Sequence, residues 1–221
     1  MGLQMSWFDQ SGEPRPRDRR WLLAGLVAMV PVAGGMFTTL SLTPGLRRQP
    51  QSEAIGGPFV LTAGNGQKLT DHDVRGKWLL MYFGYTHCPD ICPTTLAELS
   101  ETLKLLGPLA MEVQPLFITI DPERDTPDVV GSFVDQFDPR IVGLSGTPAQ
   151  IGAVAKEYHV YYAKSAAAAA DGESYSMEHT GFVYVMGPDG KYRTLLSPLQ
   201  GQTPDDMAAK LRDLITRTRS R

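Results

Sequence analysis

The residues of this chain best suited to chemistry are its two cysteines, Cys88 and Cys92, which lie close together in the sequence. The apolar run 78–83 before them predicts a buried strand, and leucines at three- and four-residue steps from Leu96 to Leu106 predict a helix after them. Both thiols therefore lie where a core strand turns into a helix. Backbone N–H groups and the positive end of the helix dipole favour a thiolate at such a position.

The spacing of the pair is Cys-x-x-x-Cys, one residue longer than the Cys-x-x-Cys redox motif. Positions i and i+4 share one face of a helix, so both sulfur atoms can point at one atom or close into a disulfide. Pro89 and Pro93 stiffen this loop. Soft thiolates select Cu(I), with zinc as the competitor. The spacing leaves both redox chemistry and metal binding open.

The elements that must position these thiols follow one another as β-hairpin, strand, helix, strand, helix, short strand, helix, strand, strand and helix. Strands that alternate with helices imply parallel pairing, while the last two strands, joined by a Gly-Pro-Asp-Gly turn at 187–190, add antiparallel pairing. The predicted fold class is α/β, a mixed sheet flanked by helices with an N-terminal hairpin. A thiol pair after the first core strand makes this predicted fold thioredoxin-like.

Turn and capping residues predict where these elements begin and end. Asn65-Gly66 suits a tight turn within the hairpin, and Thr-Pro pairs favour helix starts. An alanine-rich insertion loop is expected over 164–176, and a strand over 180–186. The predicted helices run over about 94–106, 127–137, 148–158 and 204–215.

Two thiolates alone do not fill a copper site, so the four histidines and nine methionines are candidates to complete it. His72 lies between two aspartates on a polar turn and is expected to be solvated, while His159 ends a helix, where it favours the dipole. His87 is adjacent to the first cysteine, and adjacent residues seldom point at the same atom. His179 immediately precedes the predicted strand 180–186, and in a thioredoxin-like sheet the loop before that strand lies against the thiol loop. We therefore predict His179 as the third ligand.

Two sulfur atoms and one imidazole make a trigonal site that suits Cu(I), and an exchangeable fourth position serves Cu(II). Structural zinc prefers four protein ligands. Thiol oxidoreductases of this fold usually carry a cis-proline where His179 falls, but the local sequence here is Met-Glu-His-Thr. The pattern therefore favours metal handling over general disulfide exchange.

Three acidic residues, Asp121, Glu123 and Asp125, follow the predicted strand 113–120. They could bind a hard cation, but a turn and a helix entry explain them more simply. We expect them to shape the site or to dock a partner.

Composition excludes several classes of protein. The net charge is −3 and no basic patch is interleaved with aromatic residues, so no nucleic acid is expected as a partner. Two cysteines are too few for a fold stapled by disulfides.

The N-terminal part of the chain predicts a membrane anchor. Residues 1–20 are polar and rich in Pro and Arg, which is typical of a disordered segment, and residues 21–42 carry no charge. A helix of that length spans roughly 33 Å, enough to cross a bilayer. The alternative is a cleaved signal peptide, although the apolar run is long and no clear Ala-x-Ala site follows it.

The charges around this segment predict its orientation and the location of the protein. Arginines precede it, so the positive-inside rule keeps the N-terminus, residues 1–20, in the cytoplasm and the bulk outside. A presequence that contains acidic residues and little Ser argues against a mitochondrial transit peptide and for a single-pass protein of the bacterial inner membrane that faces the periplasm. We expect a linker over 43–56, the folded domain over 57–216 and a loose basic tail over 217–221.

Several stretches together resemble the Sco/SenC family of copper-binding, cytochrome c oxidase assembly proteins, in family order over about 56–215. They are Gly-Gly-Pro-Phe at 56–59, Tyr-Phe-Gly-Tyr-Thr-His-Cys-Pro-Asp-Ile-Cys-Pro at 82–93, Phe-Ile-Thr-Ile-Asp-Pro-Glu-Arg-Asp-Thr-Pro at 117–127, Glu-His-Thr at 178–180 and Gly-Pro-Asp-Gly-Lys at 187–191.

The resemblance implies a thioredoxin-like fold and copper, as Cu(I), Cu(II) or both, bound by Cys88, Cys92 and His179. It implies a metallochaperone that helps build the CuA centre of cytochrome c oxidase subunit II with copper from a periplasmic donor. The alternatives are a thiol-disulfide reductase that keeps the cysteines of subunit II reduced, with Cys88 and Cys92 as its catalytic redox pair, and a copper-linked redox sensor. Glu178 stands where the family often has Asp, and we expect Glu178 and Asp90 to surround the ligands, with Glu178 orienting the imidazole.

Overall fold

The structure is a computed structural model that describes residues 54–165 and 175–220. The predicted anchor at 21–42, the segment before it and most of the linker lie outside the described residues, as does most of the alanine-rich loop. Within the described ranges, no helix is long and apolar enough to span a bilayer.

Strands and helices alternate along the described chain much as the sequence pattern predicts. The strands are β1 Val60–Ala63, β2 Lys68–Thr70, β3 Trp78–Gly84, β4 Val113–Thr119, β5 Val142–Ser145, β6 Tyr162–Lys164, β7 Met177–His179, β8 Val183–Met186 and β9 Tyr192–Leu196. The α-helices are α1 Ile91–Leu106, α2 Pro127–Val134, α3 Pro148–Glu157 and α4 Pro204–Arg219, with 3₁₀ turns at Gly107–Glu112 and Pro198–Gln200.

Seven of these strands form one mixed sheet in the order β2-β1-β5-β4-β3-β8-β9. The pairs β3–β4 and β4–β5 are parallel, and the other pairs are antiparallel. Every residue of β3 is buried, which is typical of a central strand covered by helices on both faces. This is the predicted thioredoxin-like arrangement with an N-terminal hairpin. The strands β6 and β7 form a separate two-stranded sheet.

The local signals explain most element boundaries. Gly66 has a φ of 80°, which suits glycine in the turn of the hairpin β1–β2. The side chains of Thr147 and Thr203 cap α3 and α4 in reciprocal capping boxes, as the Thr-Pro pairs predict. Thr126 instead donates its hydroxyl hydrogen to the carboxylate of Asp128.

Four predicted boundaries are wrong. Helix α2 ends at Val134 rather than near 137, and residues 135–137 form a turn. Helix α1 begins at Ile91 rather than near 94, because Pro93 lies in the first turn, where a backbone N–H has no intrahelical partner to lose. The expected strand 180–186 is split, since residues 177–179 pair with β6 and the main sheet resumes only at Val183. Helix α4 continues to Arg219 and takes in most of the expected loose tail.

Candidate metal centre

The two cysteines lie where β3 ends and α1 begins, as the sequence predicts. Both are free thiols; Cys92 is fully buried in the first turn of α1, and Cys88 is half-buried in the loop before it. A Cβ atom on Gly84 would lie 2.8 Å from both Cys92 Sγ and the ring of Phe117. A glycine at the end of β3 therefore lets α1 bring its sulfur against the sheet.

Asp125 holds the start of the thiol loop. Its buried carboxylate accepts hydrogen bonds from the Thr86 N–H at 2.9 Å and from the Thr119 hydroxyl at 2.7 Å, and also from the Thr86 hydroxyl. His87 Nδ1 lies 3.7 Å from the same carboxylate and 3.1 Å from Thr86 Oγ1. The His87 ring is thus turned toward the carboxylate, in line with the expectation that it is not a ligand.

The surroundings of the two sulfur atoms give Cys88 and Cys92 very different pKa values. The hydrogen bond from the Cys92 side chain lowers the pKa of Cys88 to about 3, helped by His179 and by backbone N–H groups of Cys92 and Asp90, while burial opposes the shift. The same pairing with Cys88 raises the pKa of Cys92, and burial adds to it. The Tyr82 hydroxyl donates to Cys92 Sγ at 3.6 Å. Without a metal, the pair therefore holds a thiolate at Cys88 and a thiol at Cys92.

His179 reaches this pair from 87 positions further along the chain. It ends β7, and its Nε2 lies 3.7 Å from Cys92 Sγ. Its Nδ1 lies 3.1 Å from the carbonyl oxygen of Thr180, and the rings of Tyr82 and Tyr85 stand at steep angles to the imidazole. With Nδ1–H donated to this carbonyl, Nε2 is the ring nitrogen that faces the sulfur, which is the orientation that a metal-binding histidine usually has.

The distance between Cys92 Sγ and His179 Nε2 fits two ligands of one metal ion. Bond lengths of about 2.3 Å to sulfur and about 2.05 Å to nitrogen, at trigonal or tetrahedral angles, separate the two atoms by about 3.6–3.8 Å. In the described part of the chain, no three His, Cys, Asp or Glu side chains already surround one point as the ligands of a bound ion do. Cys92 Sγ and His179 Nε2 are therefore neighbours, but the described side chains do not form a complete set of three ligands.

The other two predicted site residues, Glu178 and Asp90, differ in exposure and in hydrogen bonding. Glu178 is exposed, and its neighbour His179 is half-buried, as expected when successive strand residues face opposite sides. The group that faces His179 Nδ1 is the Thr180 carbonyl. Asp90 precedes α1, and its carboxylate accepts a 3.4 Å hydrogen bond from the Thr94 hydroxyl, so its contribution to Cys88 comes from its backbone.

The remaining histidines and acidic residues lie away from the sulfur atoms. The side chain of His72 is 82% exposed, as expected for a solvated residue, and His159 follows α3 with a φ of 53°. Asp121 binds Arg124, and Glu123 binds Lys164. The segment that carries these acidic residues forms a turn before α2, as the sequence predicts, while their role in shaping the site or docking a partner stays a prediction.

Two tyrosines of the site, Tyr82 and Tyr85, were not predicted as site residues. Both lie in the motif quoted for the family resemblance, and their aromatic type close to a cysteine pair is the signal that could have found them. An open cleft gives access to the centre, and its walls include Tyr85, Cys88, Pro89, Ile91, His179 and Leu199. A partner that approaches through this cleft meets Cys88 and His179 first, because Cys92 is fully buried.

Comparison with known proteins identifies the relatives of this chain. The SCO1/SenC family model matches residues 47–216. The mitochondrial SCO1 homolog of Mus musculus is 46% identical over 140 residues, which cover 62% of this chain and 49% of the mouse protein. Mitochondrial SCO2 of Saccharomyces cerevisiae is 36% identical over 200 residues, covering 83% of this chain and 65% of the yeast protein. The chain thus matches about half to two thirds of the length of these relatives.

Two solved structures with copper bound share this fold. Bradyrhizobium japonicum ScoI has a TM-score of 0.66 and 44% identity, covering 72% of this chain and 99% of that one. Yeast Sco1 has a TM-score of 0.68 and 34% identity, covering 74% of this chain and 89% of that one. The family match extends over far more than half of the sequence, and this chain therefore belongs to the SCO1/SenC family.

Proposed function

We propose that this chain is a copper-binding protein that helps assemble the CuA centre of cytochrome c oxidase subunit II by delivering copper held by Cys88, Cys92 and His179. One observation carries the proposal: His179 Nε2 lies 3.7 Å from Cys92 Sγ although the two residues are 87 positions apart. The copper-bound relatives support copper as the cargo.

Each residue of the centre has its own role in holding and releasing copper. Cys88 offers a thiolate at the mouth of the cleft, since its pKa is lowered to about 3. Cys92 has to lose its proton when copper binds, and its Tyr82 partner remains in place to donate a hydrogen bond to the sulfur. His179 supplies a neutral imidazole, whose orientation the Thr180 carbonyl fixes. An accepting site on a partner protein would first compete for the two exposed ligands.

Cu(I) titration against a competing chelator tests this site. We expect one copper per chain, and His179→Ala to bind Cu(I) at least about tenfold more weakly, because loss of a direct ligand should cost no less than loss of a supporting residue. Cys88→Ser should bind more weakly still, since it removes a soft ligand. His72→Ala is the matched control and should bind like wild type, because His72 is exposed and away from the sulfurs. Equal affinity of His179→Ala and wild type would remove His179 from the ligand set.

A thiol-disulfide reductase is the second candidate, and the unequal cysteines favour it. A half-exposed thiolate at Cys88 beside a buried thiol at Cys92 is suited to attack a disulfide and then to resolve the mixed disulfide. The reduced, metal-free chain mixed with an oxidised fragment of subunit II should then become oxidised as the fragment becomes reduced. Absence of thiol transfer, with Cys92→Ser also trapping no mixed disulfide, would reject this function and leave copper delivery.

The cellular setting is part of the same proposal. The uncharged segment 21–42, preceded by arginines, supports a single-pass anchor in the lipid of the bacterial inner membrane, with the copper-binding domain in the periplasm. A periplasmic copper donor would load the site before transfer to subunit II.

A further inference from the structure

The strand that carries His179 belongs to a small sheet of its own. β6 and β7 pair antiparallel, with Tyr162 opposite His179. In the described chain this pair shares no ladder with the seven-stranded sheet, and the backbone hydrogen bonds that close its ends stay inside the pair. No ladder of the described residues therefore ties His179 to the cysteines, so its position depends on side-chain contacts and on the short connection 180–182 to β8.

Tyr175 lies two residues before β7 and contacts the turn that follows β4 at three points. The Arg124 guanidinium lies over the Tyr175 ring, 3.6 Å from its centre, and Arg124 Nη1 donates to the Tyr175 carbonyl oxygen at 3.0 Å. The Tyr175 hydroxyl donates to Asp121 at 2.7 Å, and Arg124 Nε donates to the same carboxylate. The Asp121 side chain is 1% exposed and that of Arg124 is 19% exposed, so these contacts are partly shielded from water, although Arg124 Nη2 has no hydrogen-bond partner among the described residues. We call these three residues the Arg124 clamp.

The Arg124 clamp is connected to the His179 imidazole through the ring of Tyr85. The Arg124 guanidinium also lies 5.9 Å from the ring centre of Tyr85, which meets the His179 ring edge-on at 6.0 Å. The Tyr85 hydroxyl is within hydrogen-bonding reach of the backbone of Met177 in β7. The clamp is thus linked to His179 in two ways. One link is the chain from Tyr175 to His179, and the other is the contact of Arg124 with the Tyr85 ring, which packs on the imidazole.

A second tie joins the same two regions at the surface. Lys164, at the end of β6, binds Glu123 at 2.7 Å and lies 4.5 Å from the Tyr175 ring centre. Both charged side chains are at least half exposed, so water and salt screen this pair. The buried contacts of Arg124 are therefore the stronger constraint.

We infer that Arg124 and Tyr175 are positioning residues for His179: by clamping the segment before β7 against the turn after β4, they hold the imidazole within reach of the sulfur atoms. This inference rests on the proposed copper site. Neither residue contacts the sulfurs, so both act through the histidine.

Tyr175→Leu in the full chain, solubilised in detergent, is the variant of choice. It removes the ring and the hydroxyl but leaves Asp121 and Arg124 paired with each other, so no buried charge is left alone. Tyr161→Leu is the matched control, because Tyr161 adjoins the same small sheet but is 63% exposed. Arg124→Lys is a second test, since lysine keeps the charge but cannot donate to Asp121 and Tyr175 in the same fork.

Two readouts on these variants test the inference. We expect Tyr175→Leu to weaken copper binding about tenfold, as loss of a residue that orients a ligand does, and to reduce the nitrogen coupling in the electron paramagnetic resonance spectrum of the Cu(II) form. Tyr161→Leu should stay within about twofold of wild type. Tyr175→Leu combined with His179→Ala should bind no more weakly than His179→Ala alone, because the clamp has nothing left to position.

The metal-free protein separates failure of the clamp from failure of the copper site. Hydrogen exchange of the backbone amides 177–180 should be faster in Tyr175→Leu than in wild type and Tyr161→Leu, whether or not copper is the cargo. Unchanged exchange, or wild-type copper affinity in a Tyr175→Leu protein whose circular dichroism is intact, would overturn the inference. Additive losses in the double variant would overturn it as well. A wild-type chain that binds no copper, with faster exchange in the variant, would reject the proposed function and keep the clamp.

Discussion

The two halves of the metal centre are built in different ways. Cys88 lies in the loop that follows β3, a fully buried strand of the seven-stranded sheet, and Cys92 lies on the first turn of α1. His179 lies at the end of β7, a strand of three residues in a two-stranded sheet, where one side chain of the three is exposed. The thiol half is fixed by core backbone, whereas the imidazole half is fixed by side-chain contacts.

This difference indicates which half of the centre adjusts when copper arrives or leaves. Moving the cysteines requires disturbing buried packing around Gly84 and α1, where no space is free. Moving His179 requires a shift of a short strand pair and of its contacts with the Arg124 clamp, and elements with few buried contacts open at the lowest free energy. A centre with a rigid pair of sulfurs and an adjustable imidazole would suit the copper delivery that we propose above.

The largest expected effect comes from breaking the support of the thiol half. Asp125→Ala leaves the buried Thr119 hydroxyl and the Thr86 N–H without their acceptor, so we expect the free energy of unfolding to fall by about 3 kcal/mol. Urea unfolding followed by circular dichroism measures this loss. Asp135→Ala, which changes an exposed aspartate at the end of α2, is the control and should lie within about 0.5 kcal/mol of wild type. If both variants unfold alike, Asp125 does not support the thiol half.

The next effect concerns the reactivity of the thiols in the metal-free chain. The pKa of Cys88 is lowered to about 3 by its hydrogen bond from Cys92, so Cys88 is a thiolate throughout the neutral range. Its alkylation rate with iodoacetamide should therefore stay nearly constant from about pH 5 to about pH 8, whereas an ordinary thiol gains about tenfold per pH unit there.

Peptide mapping after partial labelling assigns this reaction. Cys88 should carry the label and Cys92 should not, because Cys92 is buried and its pKa is raised by the same pairing. Cys92→Ala should restore part of the pH dependence, since it removes the side-chain donor to the Cys88 thiolate. A steep, ordinary pH profile for Cys88 in wild type would show that the two thiols are not paired in this way.

Local sequence signals predict the thiol half well for a physical reason. The strand before the cysteines, the helix after them and the i, i+4 spacing are all neighbours of the thiols in the sequence, where periodicity is informative. Even here the helix begins three residues early, at Ile91, because a proline is tolerated in a first turn. The fold and the family are confirmed, while the membrane anchor stays a prediction.

The imidazole half depends on contacts that the local pattern does not record. The expected single strand 180–186 is wrong because residues 177–179 take β6 as their partner, and no local periodicity specifies that pairing. The proximity of His179 to Cys92 was nevertheless predicted, since it follows from the topology of the sheet. The role of Tyr175 was missed. Its partner Arg124 is 51 positions away, and Tyr175 itself lies outside every stretch quoted for the family resemblance.

The smallest expected effect tests whether the exposed face of β7 takes part in the centre. Glu178 is exposed beside His179, while the Thr180 carbonyl faces the imidazole, so we expect Glu178→Gln to change copper affinity by no more than about twofold. Chelator competition at low and high salt measures this change. A loss near that of His179→Ala would mean that the carboxylate, rather than the backbone carbonyl, orients the ring when copper is bound. The imidazole half would then rest on an exposed charge as well as on the Arg124 clamp, and the salt dependence of the affinity would reveal it.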